Sequence, residues 1–139
     1  MKNRMEMRFA SLAQNEAFAR MVISAFLVHE NPTLSVVSEV RTAVSEAVTN
    51  AVVHAYAEGD GDIVLRASIE DGLIAVEVED FGRGIENVEQ AMRPFFTTRP
   101  EDERTGMGFA MMQSCMDEVR VRSAPGEGTL VCMKKRLEE

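Results

Sequence analysis

Two short runs of alternating apolar residues flank the dipeptide Asp71-Gly72, and no other feature constrains the fold as strongly. Every second residue is apolar in residues 63–69 and again in residues 74–78. A period of two is typical of a β-strand that buries one face. An Asp-Gly pair between two such runs favours a two-residue turn, because both turn positions need a positive φ. The sequence therefore predicts an antiparallel hairpin in the middle of the chain.

Other segments extend this hairpin into a sheet with helices. The predicted elements, in chain order, are a strand at 5–9, a helix from Ser11 or Asn15 to about Val28, a helix from Thr33 to about Tyr56, strands at 63–69 and 74–78, a short helix within 86–92, a helix at about 107–116, and strands at 118–123 and 129–135. Because the strands are consecutive and joined by hairpins, we expect a mostly antiparallel sheet with helices on one face. This is an α/β two-layer sandwich.

The two long helices are predicted to be capped and amphipathic. Ser11 or Asn15 would cap the first and Thr33 the second, because short polar side chains accept hydrogen bonds from free N–H groups. By helical spacing, the apolar face of the first helix is Phe18, Val22, Ala25 and Phe26, and that of the second is Val37, Val40, Val44, Val48, Ala51 and Val52.

Length and charge limit the classes of function. With 139 residues the chain is long enough for one domain and too short for two, so we expect residues 1–139 to form a single domain. The formal net charge of -8 repels phosphodiester backbones, which argues against a nucleic-acid partner. No apolar run approaches the roughly 20 residues that span a bilayer, and residues 1–9 lack the apolar segment of a signal peptide. Cys115 and Cys132 match no metal or redox spacing, so we expect free thiols in the cytoplasm.

Asp80 follows the apolar strand 74–78 and precedes Gly82 and Gly84. A carboxylate at a strand end is often only a turn residue, and Asp-x-Gly alone favours that interpretation. Two glycines two residues apart, however, let the backbone approach a flat ligand where a Cβ would collide. The carboxylate could then accept a hydrogen bond from the exocyclic amine of adenine. An adenine site is therefore the functional alternative to a plain turn.

Glu46, Asn50 and His54 follow one another at intervals of four residues, so they share one face of the long helix. An exposed polar face, or hydrogen bonds between neighbouring turns, explains most such pairs. The functional alternative is a Mg²⁺ site in which the Asn50 amide oxygen is a ligand and the Glu46 carboxylate takes a proton from an attacking hydroxyl. We interpret His54 as structural rather than catalytic.

Residues 93–106 form a long stretch without a clear period. Such a stretch in a compact domain is either functional or disordered. It leads to Gly-Met-Gly at 106–108, and free N–H groups at the start of a helix bind phosphate well. A lone Gly-x-Gly is more often a simple turn, but hydroxyl and guanidinium groups nearby favour a nucleotide lid. These groups belong to Thr97, Thr98, Arg99 and Arg104.

The order and spacing of these signals are more specific than any one of them. A Glu-xxx-Asn helix, an Asp-x-Gly-x-Gly-Ile loop, an irregular lid, a Gly-x-Gly helix start and a Gly-Thr strand together resemble the Bergerat ATP-binding fold of the GHKL superfamily, over residues 11–135. The stretches VSEAVTNAVVHAY, PFFTTRPEDERTGMGFAMM and GEGTLV are similar to the anti-sigma-factor serine kinases, and most of all to their sporulation anti-sigma-F group. Phe81 departs from the family pattern, in which a polar residue is more frequent, and should change packing only at the pocket rim.

The resemblance implies ATP or ADP, with Mg²⁺, as cofactors and assigns roles by position. Asp80 would bind adenine with Thr129 nearby, and Asn50 would coordinate Mg²⁺. Glu46 would be the general base, and Arg104 would contact the γ-phosphate. The other cofactor-binding residues that it implies are His54, Gly82, Gly84, Ile85, Thr97, Thr98, Gly106, Met107, Gly108 and Phe109.

The resemblance also implies protein partners. Members of this family are homodimers that hold a sigma factor inactive and phosphorylate a serine of an anti-anti-sigma protein. Glu16 and Arg20 match positions used for partner contact, although an ion pair between helical turns explains them equally well. The dimer surface is expected on the first strand, through Met5, Met7 and Phe9, and on the following helix. Three alternatives stay open: a general-stress anti-sigma kinase of the same family, a nucleotide-gated protein-binding module without phosphotransfer, and an α/β domain without nucleotide.

Overall fold

The computed structural model describes residues 2–56, 60–93 and 108–138. The elements in these residues are β1 (Asn3–Ala10), α1 (Gln14–Leu27), α2 (Leu34–His54), β2 (Asp62–Glu70), β3 (Leu73–Asp80), α3 (Val88–Ala91), α4 (Gly108–Cys115), β4 (Glu118–Ser123) and β5 (Thr129–Arg136), with a 3-10 turn at Val28–Glu30. Their order agrees with the predicted one. None of these helices is long and apolar enough to cross a membrane.

The five strands form one sheet in the order β1-β2-β3-β5-β4, and every neighbouring pair is antiparallel. The central hairpin has the predicted two-residue turn: Asp71 has a φ of 52° and Gly72 a φ of 74°. As a result Glu70 pairs directly with Leu73. The mostly antiparallel sheet predicted from the hairpin pattern is confirmed.

The helices pack on one face of this sheet. α2 lies against β3 and β5, and α1 and α4 pack against α2. The largest fully buried side chains of the sheet are Ile63, Leu65, Ile74, Val76 and Met133, and those of the helices are Ile23, Leu27, Val40, Val44, Val48 and Met112. The α/β two-layer sandwich is therefore confirmed, with the core between sheet and helices.

The apolar face predicted for α1 is wrong. Its buried residues are Ala19, Ile23 and Leu27. Phe18 is instead 52% exposed, Ala25 is also exposed, and Val22 and Phe26 are only half-buried. Because α1 has apolar residues on opposite sides, spacing alone does not distinguish the side that packs against α2.

The start of α2 agrees with the prediction and the start of α1 does not. Thr33 caps α2, since its Oγ1 accepts a hydrogen bond of 3.2 Å from a backbone N–H one turn on. α1 follows Ala13 and has no side-chain cap, so neither Ser11 nor Asn15 caps it. Asn15 Nδ2 instead donates to the Ala10 carbonyl at 2.9 Å, which ties the start of α1 to the end of β1.

Candidate functional site

Asp80 is the last residue of β3, a central strand, and is only 5% exposed. Its Oδ1 accepts a hydrogen bond of 3.0 Å from Gly82 N, and the Thr129 backbone N–H donates to the same carboxylate. Burial raises the pKa of Asp80 above its ordinary value of 3.8, and the two backbone donors offset only part of this effect. A buried carboxylate therefore lies where the sequence predicts the adenine-binding group.

The loop after Asp80 packs tightly against two other backbone segments. A Cβ at Gly82 would overlap the Ala55 carbonyl at the end of α2. A Cβ at Gly84 would overlap the Ala124 carbonyl in the turn between β4 and β5. The prediction explained both glycines by close approach of a flat ligand, but contacts within the chain are sufficient to require them.

Three chain segments meet at the hydroxyl of Ser123, the last residue of β4. Ser123 Oγ lies 2.8 Å from Ile85 N, 2.8 Å from the Gly128 carbonyl and 2.9 Å from Thr129 Oγ1. Thr129 is 7% exposed and pairs with Ser123 on one side and with Asp80 on the other. Ser123 was not predicted as a site residue. A signal was available, because a hairpin around the turn APGEG brings its two flanking residues opposite each other.

Tyr56 joins the end of α2 to the same loop. Its hydroxyl accepts a hydrogen bond of 2.9 Å from Phe81 N and donates one of 2.7 Å to the Asp62 carbonyl. The sequence predicts Tyr56 only as a helix end, and α2 in fact ends two residues earlier, at His54. The Phe81 ring is 50% exposed and lies 5.2 Å below the Arg8 guanidinium group.

Glu46, Asn50 and His54 lie one turn apart on a half-buried side of α2, as their spacing predicts. A helix rises about 1.5 Å per residue, so Asn50 is about 7.5 Å along the axis from Ala55, whose carbonyl contacts the glycine loop. Glu46 is about 6 Å further away. His54, Asn50 and Glu46 therefore lie at increasing distances from the glycine loop that follows Asp80. An extended nucleotide, with adenine at Asp80 and phosphates near Asn50 and Glu46, requires such an order. Their catalytic and metal-binding roles stay predictions.

The remaining predicted site residues lie at or before the start of α4. Gly108 and Phe109 are buried, and Phe109, 6% exposed, belongs to the hydrophobic core. The Phe109 side chain therefore has a packing role, and only its backbone N–H is available for the predicted phosphate contact. The other predicted residues of this region, Thr97, Thr98, Arg99, Arg104, Gly106 and Met107, lie outside the described residues, as does the predicted lid.

The chemistry of these groups fits ATP and Mg²⁺. Adenine carries an amine that needs acceptors, and Asp80 and Thr129 place a carboxylate and a hydroxyl side by side on paired strands. In the part of the chain that the structure describes, no group of three or more His, Cys, Asp or Glu residues could hold a metal ion. Mg²⁺ prefers few protein ligands together with phosphates and water, which suits a single amide such as that of Asn50.

The sequence as a whole matches a known protein family. Residues 9–135 match the histidine kinase-like ATPase domain. The chain belongs to this family. The match covers every element that surrounds Asp80 and confirms the GHKL resemblance predicted from the motifs.

Curated relatives of this chain narrow the resemblance within the family. The anti-sigma F factor of Caldanaerobacter subterraneus subsp. tengcongensis is 55% identical over 97% of this chain and 94% of the relative. That of Pasteuria penetrans is 53% identical over 99% and 93%, and that of Clostridium acetobutylicum is 46% identical over 99% and 96%. The predicted similarity to the anti-sigma-F group is confirmed.

Solved structures show the same fold. The crystal structure of the RsbU and RsbW domains of a Mycobacterium tuberculosis protein matches with a TM-score of 0.71 and 22% identity, over 97% of this chain and 32% of that one. Full-length ShkA in complex with AMPPNP matches with a TM-score of 0.58 and 19% identity, over 88% and 29%. This chain thus spans about a third of each solved chain. At this identity the likeness is one of fold alone.

Glu16 and Arg20, the predicted partner contacts, form an ion pair between neighbouring turns of α1. Arg20 Nε lies 3.4 Å from Glu16 Oε2. That oxygen is buried and has no hydrogen-bond partner among the described residues, because the contact with Arg20 is within ion-pair distance but lacks hydrogen-bond geometry. The structure therefore shows the ion pair that the sequence analysis gave as an equally good explanation. A role in partner binding stays a prediction.

Proposed function

We propose that this chain is an anti-sigma factor and an ATP-dependent serine protein kinase. It binds a sporulation-type sigma factor and holds it inactive, and it uses ATP and Mg²⁺ to phosphorylate a serine of an anti-anti-sigma protein. It does so in the cytoplasm, with residues 1–139 acting as one domain. The observation that carries the proposal is the buried Asp80–Thr129 pair, in a chain whose relatives over nearly its whole length are named anti-sigma F factors.

The chain's own residues divide the work of phosphoryl transfer by position. Asp80 orients the nucleotide by accepting a hydrogen bond from the amine of adenine. Asn50 offers an amide oxygen to Mg²⁺, and Glu46, one turn before it, accepts the proton of the substrate serine. Arg104 adds positive charge, and the backbone at 106–109 provides N–H donors. Bound Mg²⁺·ATP supplies the phosphoryl group. Positioning and charge neutralisation are the main requirements of this reaction, so one carboxylate is a sufficient base.

The test is incubation with γ-labelled ATP, Mg²⁺ and an anti-anti-sigma protein. We expect phosphoserine on that protein. Removal of a general base typically costs roughly 100-fold or more in rate, so Glu46→Gln should lower the transfer rate by at least about 100-fold. Its affinity for ATP should stay close to that of the wild type, because Glu46 lies far along α2 from the adenine loop.

Glu39→Gln is the matched control for this variant. Glu39 lies on the same helix, two turns before Glu46, and forms a 3.7 Å ion pair with Lys135. Glu39→Gln should keep the wild-type transfer rate. If the wild type binds ATP and a sigma factor but forms no phosphoserine, the chain is a nucleotide-gated binding module and the kinase part of the proposal is wrong.

The exposed apolar residues on the outer face of α1 favour binding of a protein partner. Phe18 and Met21 are 52% and 70% exposed and lie on the side of α1 opposite Ile23 and its buried neighbours. Val28, 65% exposed, follows directly after α1 as the first residue of the 3-10 turn. Exposed apolar stripes of this kind mark protein-binding surfaces. Because the relatives are named for binding a sigma factor, we assign this outer face to the sigma factor. The chain itself is a homodimer in the proposal, as the family resemblance implies.

Charge introduced on the outer face tests this assignment. Met21→Glu should weaken binding of the sigma factor by at least about tenfold, since an interface anchor contributes more than 1.4 kcal/mol. Met111→Glu is the control, because Met111 is an exposed methionine on another helix, α4. Sedimentation equilibrium should show a dimer for both variants. If Met21→Glu dissociates the dimer and spares sigma-factor binding, the face belongs to the second copy instead.

A further inference from the structure

The hydroxyl of Ser123 has three polar neighbours, and their chemistry fixes where each proton lies. A serine hydroxyl has one hydrogen to donate and two lone pairs to accept with. The Gly128 carbonyl, 2.8 Å away, can only accept, and Ile85 N–H, also 2.8 Å away, can only donate. Ser123 therefore donates its single hydrogen to Gly128. The third contact, at 2.9 Å, must then be donated by Thr129 Oγ1.

This assignment leaves Thr129 as an acceptor toward any ligand. Its only hydroxyl hydrogen is committed to Ser123, so Oγ1 can offer only lone pairs. Asp80, directly opposite Thr129 in the sheet, is also an acceptor when ionised. Two acceptors on neighbouring strands select a ligand group that donates. The 6-amino group of adenine donates, whereas the 6-carbonyl of guanine or hypoxanthine would meet acceptors on both sides.

We infer that Ser123 is a positioning residue that sets the nucleobase preference of the site: it holds the Thr129 hydroxyl proton away from the ligand, so that the site selects a 6-amino purine over a 6-oxo purine. The inference rests on the proposed nucleotide binding. Ser123 touches no ligand in this role and acts through Thr129.

The direct test compares the affinities for ATP and inosine triphosphate, which has a 6-carbonyl in place of the amine. Without the Ser123 hydroxyl, the Thr129 hydroxyl is free to turn and donate to a carbonyl. Ser123→Ala should therefore reduce the ratio of ATP to inosine triphosphate affinity by about fivefold to tenfold, the effect of one neutral hydrogen bond. Both nucleotides should also bind more weakly, because Ile85 N and the Gly128 carbonyl lose their partner.

Two serine variants serve as controls. Ser123→Thr keeps a hydroxyl at the same place and should keep the wild-type ratio. Ser68→Ala makes the same change on β2, away from the site, and should alter neither affinity. If Ser123→Ala weakens both nucleotides equally and leaves their ratio unchanged, Ser123 has only a structural role and the inference is wrong.

Thr129→Val provides a test that does not depend on the folding of Ser123→Ala. If Thr129 is an acceptor, its loss weakens ATP and leaves inosine triphosphate unchanged or improved. If Thr129 donates to the ligand, the variant weakens inosine triphosphate more than ATP, and the inference fails. If the wild-type protein binds neither nucleotide, the proposed function and this inference are both wrong. If the wild type binds ATP but the Ser123 and Thr129 variants do not change the two nucleotide affinities as predicted, this inference alone is wrong.

Discussion

At the scale of single residues, Asp80 makes stability depend on pH. Its pKa is raised above 3.8 by burial, so the folded chain keeps this proton to higher pH than the unfolded chain does. Stability from this group is therefore greatest below the ordinary pKa and falls as the pH rises through the raised one. Asp80→Asn has no such proton. Relative to the wild type, the free energy of unfolding of this variant should increase as the pH rises from the ordinary pKa of 3.8 through the raised pKa of Asp80, and then level off.

Urea unfolding of both proteins at a series of pH values from roughly 4 to 8 measures this difference. A difference that stays constant, or that shrinks as the pH rises, would show that the Asp80 carboxylate is not disfavoured by its surroundings.

The Tyr56 hydroxyl should stabilise the loop without being part of the binding surface. Tyr56→Phe deletes the acceptor of Phe81 N and the donor to the Asp62 carbonyl. We expect a loss of about 1 kcal/mol in the free energy of unfolding, because partly buried groups lose their partners. Urea unfolding measures the loss, and a variant as stable as the wild type would mean that water replaces the hydroxyl at no cost.

The chemical groups of the site could be predicted from the sequence, but the long-range backbone contacts of the residues that support them could not. Asp80 lies in a recognisable spacing, and Thr129 follows a glycine-rich turn. Tyr56 and Ser123 act through hydroxyls on backbone groups that are 25 and 38 residues away. Backbone groups have no residue identity, so such contacts leave no pattern in the sequence.

At the scale of elements, the contact between α2 and the glycine loop should be sensitive to one added methyl group. Gly82→Ala would force the loop away from the Ala55 carbonyl and stretch the 2.8 Å hydrogen bond from Arg83 N to that carbonyl. We expect a loss of about 3 kcal/mol in the free energy of unfolding, the upper end for an overpacked site.

Gly126→Ala is the matched control for this substitution. Gly126 has a φ of 78° and nothing within 4 Å of a Cβ, so alanine should cost only the strain of a left-handed backbone, about 1 kcal/mol. Equal losses for the two variants in urea unfolding would argue against the tight contact with Ala55.

Elements differ in how well their sequences predict their packing. Burial alternates strictly along β3, and the residues that alternate in its sequence, Ile74, Val76 and Val78, are the buried ones. The period of two therefore both identifies this strand and predicts its buried face. α1 has apolar residues on two opposite sides, one of which packs against α2 while the other, with Phe18 and Met21, is exposed. A helix of this kind can be predicted as a helix, but its buried side depends on neighbours that its own spacing does not specify.

At the scale of the whole molecule, the sheet face opposite the helices carries a charge network. Arg66 lies 2.9 Å from Glu6, 2.8 Å from Glu79 and 3.5 Å from Glu77, on three adjacent strands. Arg66→Gln leaves three carboxylates near one another without the guanidinium group that pairs with all of them. We expect a loss of about 1 kcal/mol at low salt, because the groups are partly exposed, and a smaller loss in about 1 M salt.

Arg120→Gln is the control for this effect. Arg120 is 76% exposed and pairs only with Glu118 among the described residues, at 3.4 Å. Its replacement should leave the midpoint of urea unfolding unchanged. A loss for Arg66→Gln that does not depend on salt would indicate lost packing of the long side chain rather than lost charge pairing.

The central claim is that the Asp80 carboxylate at the end of β3 binds the adenine of ATP. Titration calorimetry of ATP·Mg²⁺ into the wild type and into Asp80→Asn tests it most directly. We expect saturable binding by the wild type and a loss of affinity of at least about 30-fold in the variant, since a hydrogen bond to a charged group contributes roughly 2 kcal/mol or more. Equal affinities for the two proteins, or no binding heat from either, would contradict the claim.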